Sequence, residues 1–513
     1  MKRDIWREEC AVMAVSLPSE LNYAPQFIYE GLRQQQHRGQ DGSGMALVCP
    51  EGTVLKKELG LVSQVFPPDW LESHPSGVGI GHNRYSTQGL NTEVNLQPHQ
   101  AGEIYLANNG HIINYWSLRN QLEREGEIFK STNDGELLAK IVGREFDRTA
   151  DVLSAIESLH QIVIGAYSVV MLFAGKLYVF RDPKGYRPLS LCRLPKGGVA
   201  VASETIAFDI LEADFETYQE VLAGAVLEID KGEVTVLKQG WPATCQCVFE
   251  HIYFSRPDSD VFGLGVALIR QRIGYQLALE FLAKSGFQID DRVVVICVPD
   301  SSTQIARGAA LALGAPYEQG LIRSHTARRT FIESQQQVRD EGVKYKFNPQ
   351  RTVIKGKKVI VVDDSIVRGS TNKKLIAMLR RAGASEVYLL IGSPQIKWSC
   401  FMGIDTPTLT ELIANQMDLS GIVKQLDVDS LTHLSLEGLK KAVGPITEGE
   451  KEAFKGLLMC LREAEAGSYY GRIWERLLTS DPEHFCYACF SGEYHLPVPL
   501  PNATIISEKF EEQ

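Results

Sequence analysis

A chain of 513 residues, 44% hydrophobic and 23% charged, can bury two or three globular cores. Its net charge of −10 comes with no long basic run. That excludes a nucleic-acid binder built on non-specific phosphate attraction, while small phosphate substrates need only local positive groups.

The longest apolar stretch, 162–174, is interrupted by Gly165 and is too short to cross a bilayer, so no membrane partner is expected. The first ten residues lack the apolar centre of a secretory signal. The ten cysteines are therefore expected as reduced thiols, metal ligands or a nucleophile in a cytoplasmic protein, not as a disulfide framework.

Up to residue 235, short β-like segments (77–82, 103–107, 166–173, 176–180) alternate with turn residues. Helical patterns lie near 24–36, 114–125 and 151–161. Strands with helices outside them predict an α+β layered domain. A second rhythm begins near Asp258: helix 263–285, strand 291–299, helix 302–313, strand 359–362, helix 371–384, strand 386–391. This alternation predicts a parallel sheet with ligands at the carboxyl ends of its strands. From Asp405 onward the chain reads as helical, at 409–416, 421–426 and 436–443. Thr447-Glu-Gly-Glu450 heads an amphipathic run to Ala464 that reads as one capped helix.

The richest stretch is Val359-Ile-Val-Val-Asp-Asp-Ser-Ile-Val-Arg-Gly-Ser-Thr371. Four β-branched residues give a buried strand, and Asp363 and Asp364 sit at its end. Arg368, Gly369, Ser370 and Thr371 then open a helix, whose free N–H groups and hydroxyls suit a phosphate. Paired carboxylates can grip ribose hydroxyls or a magnesium shell. The stretch resembles the 5-phosphoribosyl-1-pyrophosphate (PRPP) motif of type I phosphoribosyltransferases.

Upstream, Cys10 stands in Glu8-Glu-Cys10-Ala. It is followed in order by Gln36-His-Arg-Gly-Gln-Asp-Gly-Ser-Gly44, Gly81-His-Asn-Arg-Tyr-Ser-Thr-Gln-Gly89, Ala107-Asn-Asn-Gly110 and Asn133-Asp-Gly-Glu136. Together these strings resemble class II glutamine amidotransferases of the N-terminal-nucleophile type. With the PRPP motif behind them, the chain resembles the amidophosphoribosyltransferase family over most of 8–445 and again at 484–498.

The resemblance implies an α+β N-terminal-nucleophile (class II glutaminase) αββα domain, then an α/β type I phosphoribosyltransferase domain with a helical C-terminal tail. The expected divisions are a propeptide at 1–9, the amidotransferase domain at 10–235, the phosphoribosyltransferase domain at 258–405, and a helical region at 406–513 carrying Cys486-Tyr-Ala-Cys489. The implied activity is that of a glycosyltransferase (pentosyltransferase) acting on glutamine and PRPP at the first step of purine biosynthesis. A catalytically silent paralogue that senses PRPP or nucleotides is the alternative. Purine nucleotide inhibitors and a homotetramer are also implied.

Residue by residue, the resemblance implies Cys10 as nucleophile and Asn109 with Gly110 as oxyanion hole. Arg84, Asp134 and Arg38 are implied at the glutamine pocket. Amide hydrolysis needs these parts: a nucleophile, a base and oxyanion donors. Asp300, Ser301 and Ser302, in the loop after strand 293–297, are implied at PRPP. So are Arg329, Lys346, Asp363, Asp364, Arg368, Gly369, Ser370 and Thr371. Mg2+ is implied at Ser301, Asp363 and Asp364. Cys247, Cys400, Cys486 and Cys489 match cysteines that hold a [4Fe–4S] cluster in one branch of the family. Four thiolates also suit zinc, and spacing does not choose between them.

The chain departs from the family pattern in places. Ala11 and Ala14 stand where glycine is usual, Met13 where an aromatic is usual, and Asn108 where histidine is usual. The segment 445–483 is longer than in bacterial members and carries Cys460.

Overall fold

The computed structural model describes residues 10–85, 92–324, 346–500 and 504–505. The first unit stacks two sheets. One has seven strands, in the order Asp214–Glu220, Ser190–Arg193, Val199–Ala202, Ala11–Ser16, Val78–Arg84, Gly42–Cys49, Gly52–Leu59. The other has six, in the order Glu233–Lys238, Val226–Asp230, Lys176–Arg181, Gly165–Phe173, Ile104–Ile112, His99–Ala101.

Strand alternation decides which side chains meet. Val12 and Ala14 face Tyr105, Ala107 and Val170 in the gap between the sheets. Met13 and Val15 face outward onto Ile28 and Leu32 of the Ala24–Gln34 helix. Leu106 faces outward onto Leu138 and Ile156, from helices Asp134–Thr149 and Val152–Ile162. The layers are therefore helix, sheet, sheet, helix. Ala14 is small enough for the gap, and Met13 fills the space over Gly31, where an added methyl would meet its sulfur at 2.8 Å.

The second unit is a parallel sheet ordered Val293–Cys297, Lys358–Asp363, Glu386–Ile391, Ser430–His433. Both faces are covered, which is why its strands read as unbroken apolar runs. Ile360 and Val362 face one core, while Val359 and Val361 face the other, against Leu375 and Leu379 of helix Ser370–Ala382.

Helices Val266–Ser285 and Thr303–Leu313 cross backbone to backbone. A methyl on Gly274 would lie 1.8 Å from the Ile305 carbonyl oxygen, and one on Gly308 would lie 1.8 Å from that of Gln271. Backbone cannot yield as a flexible side chain does. Gly308→Val is expected to lower the free energy of unfolding by about 3 kcal/mol. A urea titration monitored by far-ultraviolet circular dichroism checks this, and an unchanged midpoint contradicts it.

The sequence expectation fails in three helical places. The run 447–464 is not one helix. Thr447 and Glu450 form the expected capping box, but the helix ends at Ala453 and a separate turn spans Met459–Arg462. Glu450 is drawn inward to Arg272 (Nε to Oε1, 3.0 Å), and Gly456 in the gap favours the unfolded turn. The expected helix 409–416 is a 3-10 turn, Leu409–Glu411, followed by a single helical turn, Ile413–Gln416. One helix had no expectation, Asp134–Thr149, while Tyr469–Thr479 falls within the region expected to be helical, where no bounds were assigned to it.

The Tyr469–Thr479 helix spans both units. Arg472 Nη2 donates to the Phe215 carbonyl at 3.2 Å, and the Tyr469 amide donates to Glu216 Oε2 at 2.8 Å. Arg476 Nε donates to the Phe262 carbonyl at 3.3 Å. Beyond it, Phe485–Cys486 pairs in parallel with Gln246–Cys247. Among the described residues, no helix is long and apolar enough to cross a membrane.

Candidate active sites

Cys10 heads the Ala11–Ser16 strand on the parity of Val12 and Ala14, so its thiol faces the gap between the sheets. Asn109 shares the parity of Tyr105 and Ala107 on the opposing sheet and faces the same gap. The Asn109 side chain is 1% exposed, and its Nδ2 has no hydrogen-bond partner among the described residues. Such a donor is costly to bury unless a ligand uses it. Gly110 has φ +145° and lies so near the neighbouring strand that a methyl would come 2.0 Å from the Ala166 oxygen. No residue with a side chain fits there.

Arg84 ends the Val78–Arg84 strand, and its Nη1 donates to the Asn95 carbonyl at 2.6 Å. Asp134 begins the helix that Asn133 caps, the Asn133 side chain accepting from the Gly135 amide at 2.9 Å. Asp134 is buried, and its Oδ2 has no partner among the described residues. Burial raises its carboxyl above the usual range, against the pull of His111 and Arg84. Burial also pushes the Cys10 thiol up. A hydrogen bond to the Tyr85 backbone and the charge of Arg84 pull it down, and Asp134 pushes it up again. The thiol thus lies within electrostatic reach of two arginines, Arg84 and Arg38, and of Asp134; Arg84 and Asp134 could receive the two ends of an amino acid.

Arg38 takes a different position. It is buried beneath the strand, with Nε donating to the Cys10 carbonyl at 3.3 Å and its fork turned to Glu204 and Glu250.

In the second unit, strand register sets the loops after Cys297 and Val362 side by side. Pro299–Asp300 is a cis peptide. Ser301 Oγ donates to Asp364 Oδ2 at 2.6 Å, and Ser302 Oγ to Asp363 Oδ1 at 3.1 Å. Asn372 Nδ2 reaches Asp363 Oδ2 at 2.7 Å, and Arg270 is buried within electrostatic range of Asp364. Burial, then the like charge of Asp364, raises Asp363 to about 7. Burial raises Asp364 as well. Two buried carboxylates ringed by hydroxyls form an all-oxygen donor set, which fits a hard cation such as magnesium.

Gly369, at φ +78°, caps the Ser370–Ala382 helix, whose first residues are Ser370 and Thr371. Arg368 pairs with Glu411 at 3.1 Å. Asp300 is exposed and pairs with Arg323. Lys346 lies at the edge of the described residues with its amine 5.2 Å from the Phe347 ring, and Arg329 lies outside them.

The four candidate cluster cysteines gather from three segments. The parallel bridge sets Cys247 opposite Cys486. The backbone amides of Lys397 and Trp398 donate to the Cys489 carbonyl, each at 3.1 Å, which brings in the Cys400 loop. Burial raises Cys489, and the charges of Cys486, Cys400 and Cys247 raise it further. Four thiols, Cys247 and Cys489 buried and Cys400 and Cys486 half-buried, repel one another as thiolates and, with Arg187 near Cys247 and Cys400, form a donor set that fits an iron–sulfur cluster. Among the described residues they do not close on the spacing of a single metal ion. Gly403, three residues after Cys400, packs on Gly110: a methyl there would sit 3.3 Å from the Gly110 Cα.

Sequence reading missed Asn372, Arg270, Arg187, Glu204 and Glu250. Asn372 directly follows the motif and could have been taken with it. The other four are defined by partners distant in sequence.

Comparison with known proteins covers nearly the whole chain. A glutamine amidotransferase domain model matches 82–209, and a phosphoribosyl transferase domain model matches 275–391. Amidophosphoribosyltransferase 2, chloroplastic, of Arabidopsis thaliana is 41% identical over 95% of this chain and 79% of that protein. The amidophosphoribosyltransferase of Methanothermobacter thermautotrophicus is 39% identical over 85% of this chain and 91% of its own. A solved structure described as the allosteric regulatory enzyme of purine biosynthesis superposes with TM-score 0.80 at 35% identity, covering 96% of this chain and 98% of that one. A second, glutamine PRPP amidotransferase from B. subtilis complexed with ADP and GMP, gives 0.79 at 35% identity, with coverage of 96% and 99%. Identity of this level, sustained through both halves and matched by the superposition, places the chain in the amidophosphoribosyltransferase family.

Proposed function

We propose that this chain converts PRPP, glutamine and water to 5-phosphoribosylamine, glutamate and pyrophosphate, the first step of de novo purine biosynthesis. The observation that carries the reading is the pair of opposite charges bearing on the Cys10 thiol, Arg84 and Asp134, with Asp134 Oδ2 buried and unpartnered among the described residues. That is a receptor for a zwitterion placed beside a nucleophile.

Removal of 1–9 frees the α-amine of Cys10 to take the thiol proton; an unperturbed α-amine titrates at about 8. The thiolate attacks the amide carbon of glutamine. Asn109 Nδ2 and the Gly110 N–H donate to the oxyanion, Arg84 binds the α-carboxylate and Asp134 the α-ammonium. Ammonia leaves, and water cleaves the thioester.

At the second site the N–H groups and hydroxyls of Arg368, Gly369, Ser370 and Thr371 hold the 5-phosphate. Asp363 and Asp364 face the ribose, while Asp300, Ser301 and Ser302 face the pyrophosphate with Lys346 and Arg329. Ammonia displaces pyrophosphate at ribose C1, with proximity supplying much of the rate. Magnesium, held by Ser301, Asp363 and Asp364, would neutralise charge on the leaving group. A [4Fe–4S] cluster on Cys247, Cys400, Cys486 and Cys489 would tie the C-terminal tail to the transferase domain. The free thiols suit a reducing compartment, the cytoplasm. Purine nucleotides are proposed as inhibitors and a homotetramer as the assembly.

Pyrophosphate release by the purified chain, dependent on both glutamine and PRPP, tests the reading. Its absence in protein shown by intact mass to begin at Cys10 contradicts it. Within the site, Asn109→Ala is expected to cut kcat for glutamine hydrolysis by about 10²–10³-fold, the cost of one oxyanion donor. A loss under about fivefold removes Asn109 from that role.

A further inference from the structure

Beneath Cys10 lies a charged network whose two glutamates, Glu204 and Glu250, none of these roles uses. Arg38 is its centre. Its Nε donates to the Cys10 carbonyl at 3.3 Å, Nη1 to Glu204 Oε1 at 2.5 Å and Glu250 Oε2 at 2.9 Å, and Nη2 to Glu250 Oε1 at 2.7 Å. Glu250 also accepts from Arg187. The Arg187 carbonyl accepts from Ser168 Oγ at 3.0 Å, and Ser168 stands opposite Asn109 in strand register. All four charged side chains are at most 1% exposed.

Two guanidinium groups and two carboxylates balance in charge. Burying them is a poor way to gain stability, because desolvation offsets most of the attraction. What a bidentate fork supplies is direction: it fixes the guanidinium plane and leaves it little freedom. The plane of Arg38 sets where its Nε points. The Cys10 carbonyl it holds sets ψ of Cys10, which fixes where that residue's Cα and Cβ stand relative to Asn109 on the facing sheet. Attack by the thiol and capture of the oxyanion demand that placement to a fraction of an ångström.

We propose that Glu250 is a positioning residue for amide cleavage. By holding Arg38 on one side and Arg187 on the other, it fixes the Cys10 backbone and the strand neighbouring Asn109 in one mutual geometry. Glu250 touches no substrate and acts through the two arginines. The assignment rests on the reading of Cys10 as nucleophile.

The test compares Glu250→Gln, Glu250→Asp and Arg187→Lys with the parent, all as full mature chains. The readouts are glutamine hydrolysis and ammonia-dependent PRPP turnover. The expected result for Glu250→Gln is a fall in glutaminase kcat of about 30-fold or more, a KM for glutamine within about threefold, and ammonia-dependent turnover within about twofold. Glu250→Asp keeps the charge and should recover part of the loss. Arg187→Lys keeps both charges but removes the planar guanidinium that donates to Glu250, and reads the same split where a Glu250 variant does not fold. Glutaminase kcat within about twofold of the parent overturns the assignment, and so does an equal fall in both activities, the mark of a merely structural role. A Cys10→Ser control separates the two claims: if it still hydrolyses glutamine, the nucleophile reading fails first.

Discussion

Replacing Cys10 with alanine is expected to abolish glutamine-dependent turnover, by about 10⁴-fold or more, while leaving ammonia-dependent turnover within about twofold of the parent. The split follows from the architecture. Cys10 lies between the two sheets of the first unit, whereas Asp363 and Asp364 stand at the strand ends of the second. Truncation at Cys10 removes only Sγ, whose hydrogen bond runs to the Tyr85 carbonyl at 3.6 Å, so the fold loses almost nothing. Pyrophosphate release measured in parallel with glutamine and with ammonium salt gives the ratio directly. Glutamine-dependent turnover persisting in the variant would remove Cys10 from the mechanism. Loss of both activities would mean that the thiol supports the second site.

Asp363→Asn is expected to behave in the opposite sense, with PRPP turnover falling about 10²–10³-fold with either nitrogen source. Stability in magnesium-free buffer should rise, and the sign can be worked out. A carboxyl whose folded value is raised to about 7 destabilises the fold once pH exceeds its unfolded value. That penalty grows from about pH 4 upward and levels off above the folded value. Asparagine does not carry it. The melting-temperature advantage of the variant should therefore be small at pH 5 and largest at pH 8. It keeps the acceptor for Ser302 Oγ, and Asn372 can turn its amide to meet the new one. PRPP turnover retained within about tenfold would remove Asp363 from the site. A melting-temperature gap that shrinks toward pH 8 would refute the electrostatic account.

What could be read from sequence tracks how local each feature is. Val359 through Thr371 is one unbroken strand, turn and helix start, and all its parts lie within thirteen residues. The buried network has no such string. Arg38 meets Glu204 across 166 positions and Glu250 across 212, and an arginine in a sequence does not announce a partner at that distance. Asn133-Asp-Gly-Glu136 is both a ligand-binding string and the capped start of the Asp134–Thr149 helix, and the string by itself does not mark a helix. The Tyr469–Thr479 helix did carry a readable signal: Ser468 caps it, accepting from the Gly471 amide at 3.1 Å. The single helix expected over 447–464 failed because propensity alone did not reveal that Arg272 pulls Glu450 into the interior.

The meeting of Cys247 with Cys486 and Cys489 also sets a timetable. Cys489 follows Cys247 by 489 − 247 = 242 positions, so on a ribosome adding about 5–20 residues per second some 10–50 s pass between them. Throughout that interval the nascent chain holds Cys245, Cys247 and then Cys400 without the tail that closes over them. The first unit can fold early, but its junction with the second is sealed only after Cys486 and Cys489 have been made. A ribosome paused near residue 480 would therefore present open thiols to oxidants and stray metal ions.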